Sequence, residues 1–458
     1  MKILPLVFVT AAAAWQPQLP PDRQLAHDVL QELVGIDTTT DVVGTERAAA
    51  AIEQRLRAAG FSAEDAKVMG PDPKHSNVYI RLPGRSAEKP IVLIAHLDVV
   101  TARPEDWTVP PFTLTERDGY FYGRGVGDDK QGDANIVTNM IRWKREGLTP
   151  ARDVIAVLTS DEETGGETIR WMLDHVPAMR SADFALNADA GAGDVIDGKR
   201  AVLNLQASEK IYADYRFTTK DRGGHSSRPR NADNPIYRLS AALDGLARFQ
   251  FPVELSDLTR KYFERDAALR APETAGDMKA LAAGTASTDA IARLSADPQL
   301  NAFMRTTCVA TMIEGGHAPN ALPQTASVNV NCRILPNDDP VAIRQKLEEI
   351  FSGAHAEMQV ALAPKRSPAS PLRADVMAVV EQLAQKHFPG VVVLPQMEAG
   401  ATDGLYVRNA GVPVYGLAAI FNDPADVRAH GRDERIPVAA YYDAVDFWHE
   451  LVPALAGK

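Results

Sequence analysis

The segment Ile91-Val92-Leu93-Ile94-Ala95-His96-Leu97-Asp98 sets the reading of the whole chain. Its first four residues form a short apolar run of the kind buried in a parallel sheet that is covered on both faces. His96 and Asp98 follow directly. Two residues apart on an extended segment, they project to the same side, and they do so at the carboxyl end of a strand, where open α/β sheets assemble their sites. A metal-binding imidazole needs its second ring nitrogen held, and a neighbouring carboxylate does this, so Asp98 is the expected partner of His96. Taken alone, a strand-end His and Asp describe a solvated turn more often than a ligand pair.

Similar apolar runs recur at 154–158, 184–186, 391–394 and 412–417, with helical patterns at 134–145 and 167–175 between them. This alternation is the βαβ signature. Residues 22–61 are helical in pattern, with Leu25, Val29, Leu30, Leu33 and Val34 on one apolar face. The middle of the chain differs. Segments 210–218, 307–313 and 327–335 alternate apolar and polar residues as a half-exposed antiparallel sheet does, and helical patterns at 235–247 and 341–351 complete a βαββαβ order. Residues 257–299 read as an exposed, Ala-rich helical excursion without chemistry of its own. The expected organisation is an α/β domain from 20–206 and 366–458, interrupted by an α+β insertion at 207–365.

Three further clusters carry chemistry. Gly123-Arg124-Gly125-Val126-Gly127-Asp128-Asp129-Lys130 places three glycines within five residues ahead of a helix, a tight loop that brings backbone and carboxylate against something charged. The strand-GxGxxG-helix order is absent and the loop is acidic, so a cation suits it better than a phosphate. Asp161-Glu162-Glu163-Thr164-Gly165-Gly166 closes another apolar run. One of its glutamates can bind metal while the other takes a proton from water, although an acidic surface turn has the same composition. Asp189 ends a further run, and His430 stands in Ala429-His430-Gly431-Arg432-Asp433-Glu434. Singly these are a turn former and a surface histidine. Together, four strand ends and one late loop deliver imidazole or carboxylate to one sheet edge, and a nitrogen and oxygen donor set without cysteine suits zinc or a similar divalent ion.

Composition narrows the class. With 458 residues, 45% hydrophobic, the chain has material for a sizeable core. Its net charge of −11 is dispersed and no basic stripe is present, which argues against nucleic-acid binding. Met1-Lys2, an apolar run to Trp15 and the series Ala11 to Ala14 resemble a secretory signal spanning 1–14. The expectation is an exported, periplasmic or secreted protein that is free of the membrane when mature. Cys308 and Cys332, the two cysteines, fall on expected neighbouring strands equally far from Asn320. One bridge is open to them, but two buried free thiols are the favoured reading.

The segments His96-Leu97-Asp98, 123–130, 161–165 and Ala429-His430 resemble, in order, the M20 family of metallopeptidases, over about residues 25 to 450. The resemblance implies a zinc-dependent exopeptidase-type mixed sheet flanked by helices, with an inserted ferredoxin-like lid that often dimerises. It assigns His96 and Asp189 to one zinc, Glu163 and His430 to the other, and Asp128 as the bridging carboxylate, with Co2+ or Mn2+ as possible substitutes. It makes Glu162 the general base, with Asp98 supporting His96 and a hydroxide shared by the metals as nucleophile. It also implies a cis peptide between Asp128 and Asp129. In the lid, His225 of Gly223-Gly224-His225-Ser226-Ser227 matches the family's oxyanion-stabilising histidine, supplied by the partner subunit in dimeric members. Asn320 and Arg333 match substrate-gripping positions, with Arg suited to a terminal carboxylate, and Gly400 matches a loop at the cleft. Gln131 departs from the family, which often has glycine there, a change expected to affect loop packing.

The implied reaction is cleavage of a peptide bond next to a residue with a free α-carboxylate, by a carboxypeptidase or dipeptidase. Hydrolysis of N-acyl amino acids by an aminoacylase is the close alternative. A catalytically silent metal-binding protein of the same fold is the distant one, disfavoured because binding alone requires no base at Glu162.

Overall fold

The computed structural model describes residues 19–40 and 42–457. The expected leader lies outside them. The chain first lays down seven strands of a large mixed sheet: β1 (Ala66–Met69), β2 (Asn77–Leu82), β3 (Ile91–His96), β4 (Val154–Thr159), β5 (Phe184–Asn187), β6 (Gly193–Ile196) and β7 (Lys199–Glu209). It then enters the insertion with β8 (Ile211–Lys220), β9 (Thr307–Gly315), β10 (Thr325–Ile334) and β11 (Glu357–Leu362), and returns with β12 (Val392–Glu398), β13 (Val414–Gly416) and β14 (Phe421–Asn422). The large sheet runs in the order β1-β2-β4-β3-β5-β13-β7-β6-β14, with β12 paired to β7.

At its centre β4, β3, β5 and β13 are mutually parallel. Every residue of β3, β4 and β5 is buried, which is why they read as unbroken apolar runs. Parallel neighbours end at the same edge, so the polar residues that follow each run are gathered together. The helix Lys130–Glu146 packs behind this edge and is buried from Lys130 to Trp143. No helix among the described residues is long and apolar enough to cross a membrane.

The insertion is a four-stranded antiparallel sheet in the order β9-β10-β8-β11, with helices Pro235–Arg248 and Pro340–Phe351. β8 alternates buried and half-buried residues along its length, and Ala213, Tyr215, Phe217, Val328, Val330 and Leu347 form a core of its own. Cys308 and Cys332 are directly opposed across β9 and β10 and form a disulfide. This corrects the expectation of two free thiols: register, rather than strand assignment, brings the sulfurs together.

The helical excursion keeps an exposed outer face, as expected, but it is not free-standing, because its inner face is docked. Helices Asp257–Asp266, Pro272–Ala282, Thr288–Ser295 and Pro298–Met304 leave the insertion and dock on the large domain. There Leu258, Tyr262, Phe263, Met278 and Phe303 join the same core as Val393 and Met397 of the large sheet, and Arg265 donates to the Val393 carbonyl at 2.9 Å.

Candidate metal centre

His96 ends β3, Glu162 and Glu163 follow β4, and Asp189 follows β5, so three parallel strands supply three corners of one site. Asp128 arrives on the glycine loop. Gly125 has φ +82°, and a Cβ there would lie 2.7 Å from Val99, so the turn demands glycine. The peptide between Asp128 and Asp129 is cis, as the family resemblance implies.

The two histidines meet at one carboxylate. His96 Nε2 lies 3.0 Å from Asp128 Oδ1 and 3.6 Å from Asp189 Oδ1. His430 Nε2 lies 3.1 Å from Asp128 Oδ2 and 2.9 Å from Glu163 Oε1. Asp128 thus presents one oxygen to each imidazole. Two groups of donors emerge, Asp128 with Glu163 and His430, and His96 with Asp189 and Asp129, each with its ligand atoms within 4.8 Å of one another. Asp129 is an addition to the expected set; its Oδ2 is buried without a hydrogen-bond partner.

Electrostatics describe a site built for positive charge. Burial, reinforced by the charge of Asp189, pushes the Glu162 carboxyl well above its ordinary range. Burial likewise lifts Asp189 to about 7, against the pull of His96. Burial opposes ionisation of Asp128 too, yet its contacts with His430 and His96 hold it well below the usual carboxylate range. The same contacts with Asp128 and Glu163 raise His430 to about 10. Converging carboxylates whose ionised forms lean on protonated imidazoles for countercharge are a donor set short of cations, and divalent ions fit it.

Asp98 does more than expected. The Nδ1 of His96 lies 3.1 Å from the Asp98 backbone carbonyl and 3.5 Å from its carboxylate, so the backbone is the closer partner. The Asp98 carboxylate instead accepts N–H bonds from Glu162 at 3.2 Å and Glu163 at 3.1 Å, and a bond from Thr40 Oγ1 at 2.7 Å. It therefore sets the glutamate turn relative to the β3 histidine. Gln131 ties two ligand segments, donating to Asp129 Oδ1 at 2.8 Å and to the Ala188 carbonyl at 3.3 Å.

The cluster opens into a cleft of about 800 Å³ that also takes in Lys210, Arg333, Gly400, Ile420 and Arg428. Arg333 reaches across from the insertion, donating to the Ala399 carbonyl at 2.8 Å. His225 and Asn320 are brought to each other but not to the cleft. They sit on a small exposed ribbon in which Gly224–His225 pairs with Ala321–Leu322, and Ser226 N–H donates to the Asn320 carbonyl at 3.1 Å. Glu434, a residue without an expected role, is buried against the glycine loop.

The model of the peptidase family M20/M25/M40 matches residues 92–454. The chain belongs to this family. It is 29% identical to the human N-fatty-acyl-amino acid synthase/hydrolase PM20D1, over 80% of this chain and 74% of that protein. Human aminoacylase-1 is 25% identical over 95% of this chain and 97% of its own length. Among solved structures, the M20 metallo-carboxypeptidase Sso-CP2 of Sulfolobus solfataricus superimposes with a TM-score of 0.69 at 18% identity, covering 94% of this chain and 99% of that one. M20 membership together with the converged donors makes this chain a metal-dependent hydrolase.

Proposed function

We propose that the chain is a two-zinc amidohydrolase that cleaves the amide bond of N-acyl amino acids. The carrying observation is the Asp128 carboxylate, with one oxygen 3.0 Å from His96 and the other 3.1 Å from His430. A carboxylate so placed suits a pair of ions, His96 and Asp189 holding one, Glu163 and His430 the other. When bound, such ions polarise a carbonyl and lower the pKa of water.

Glu162 acts as the base. From beside the metal donors it takes a proton from water and returns it to the leaving amine. Asp98 holds Glu162 and Glu163 by their backbone N–H groups, so the two side chains keep separate tasks. Arg333 meets the free α-carboxylate, where a planar guanidinium binds in two-point fashion. The acyl side is favoured over a peptide by the other acids of the cleft. Glu209 pairs with Arg408, Asp426 pairs with Arg428 and Arg435, and Glu434 pairs with Arg124. None of these three is left free to receive an α-ammonium group. His225 and Asn320, exposed away from the cleft, suit delivery to a second copy in a homodimer formed through the insertion.

Peptides with a free C-terminal carboxylate are the second reading, since Arg333 serves them equally. Hydrolysis of N-acyl amino acids compared with dipeptides ending in the same residue, in protein loaded with zinc, tests the choice. Turnover of dipeptides alone overturns the acyl reading, and no metal-dependent turnover of either overturns the hydrolase mechanism.

A further inference from the structure

The glycine loop cradles an anion, and that anion belongs to the protein. Glu434, 1% exposed, accepts backbone N–H bonds from Gly125 at 3.0 Å, Gly127 at 2.8 Å and Asp128 at 3.1 Å. Its Oε2 also takes the Arg124 guanidinium at 2.5 Å, and its own carbonyl accepts the Gly123 N–H at 3.1 Å. Arg124, 2% exposed, turns its other nitrogen to the carbonyls of His430 at 3.3 Å and Gly431 at 3.1 Å. A closed circuit therefore runs from the backbone of Asp128 through Glu434 and Arg124 to the backbone of His430.

His430 needs such support. Its backbone is left-handed, φ +62°, which a residue with a Cβ adopts only where its surroundings enforce it. It lies on a long loop, whereas His96 is the last residue of β3 and Asp189 follows β5 by two residues. We infer that Glu434 and Arg124 are a positioning pair that fixes the last imidazole against the bridging carboxylate, and so governs the ion held by Glu163 and His430 selectively. The inference rests on the two-metal reading above.

Metal binding distinguishes the two. The full chain is stripped with chelator and titrated with Zn2+ by equilibrium dialysis. The wild-type protein is expected to take two ions; fewer than two overturns the two-metal reading itself. Glu434→Gln, which keeps the shape but removes the charge that anchors Arg124, is expected to bind one ion with wild-type affinity and the other about 10- to 100-fold more weakly, the range for removing an outer partner of a metal ligand. Arg124→Lys, which keeps the charge but loses the forked reach to the His430 and Gly431 carbonyls, is expected to give a smaller loss confined to the same ion, and carries the test if Glu434→Gln does not fold. Two ions bound at wild-type affinity in a folded variant overturn the inference. Equal weakening of both ions overturns it as well, because it marks a general structural role.

Discussion

His96 and His225 are both imidazoles beside short strands, and they stand at opposite extremes of exposure. The side chain of His96 is 1% exposed, on a strand whose two parallel neighbours bring further ligands to the same edge. His225 is exposed on a two-residue ribbon, and its Nδ1 accepts the N–H of Ser227 at 3.2 Å. The candidate metal donors are gathered within one chain because the sheet that positions them is also the core. The ribbon is displayed rather than packed, so whatever it acts on must come to it.

The largest expected effect lies in the cradle. Glu162→Gln should lower kcat about 10²- to 10⁴-fold, the span of general base catalysis, with metal content unchanged by elemental analysis. Unaltered turnover would detach Glu162 from proton transfer. On the ribbon, His225→Ala should lower kcat about 10²- to 10³-fold, the cost of one lost oxyanion donor, again with metal content unchanged. Mixing this variant with Glu162→Gln should restore part of the activity as protein concentration rises, because each copy supplies what the other lacks. Absence of recovery at any concentration would place the ribbon's action within one chain.

Between the two regions stands Arg333. Its replacement by Ala should raise KM about 10- to 100-fold, corresponding to one charged hydrogen-bond contact, and leave kcat less affected. A fall in kcat at constant KM would move Arg333 from substrate binding to the chemistry. The smallest effect concerns Lys210 at the junction of β7 and β8, buried and donating to the Arg305 carbonyl at 2.8 Å. Burial lowers its pKa from 10.5 to about 7. Folding therefore carries a charging penalty that is complete below pH 7 and released as pH rises toward 10.5. Thermal midpoints of Lys210→Met against wild type should favour the variant most below pH 7 and converge with it on the alkaline side. A gap independent of pH would show that Lys210 is neutral, or equally charged, in both states.

The two regions also differ in how far they could be read from residues. β3, β4 and β5 announce themselves as apolar runs because both their faces are covered, and the polar residues after each run needed only the parallel rule to be placed together. Glu434 carried no such mark. Its role depends on Arg124, 310 positions away, and on three backbone N–H groups that a side-chain motif does not display. The alternating pattern puts Cys308 and Cys332 on neighbouring strands, but a bridge depends on register, which that pattern does not fix. In the helical excursion a signal was present. Leu258, Tyr262 and Phe263 mark a buried face at helical spacing, obscured by the alanines and charges around them.

That excursion changes what the inserted domain is mechanically. Between β8 and β9 the chain leaves its small sheet, roots four helices in the large domain's interior, and comes back. The lid thus hangs from the body at more than its two ends, like a door carried on an extra bracket. Excising it between 207 and 365 would tear out part of the body's own core and expose the apolar flank of β12, so the lid cannot be trimmed or exchanged as a cassette while those helices go with it.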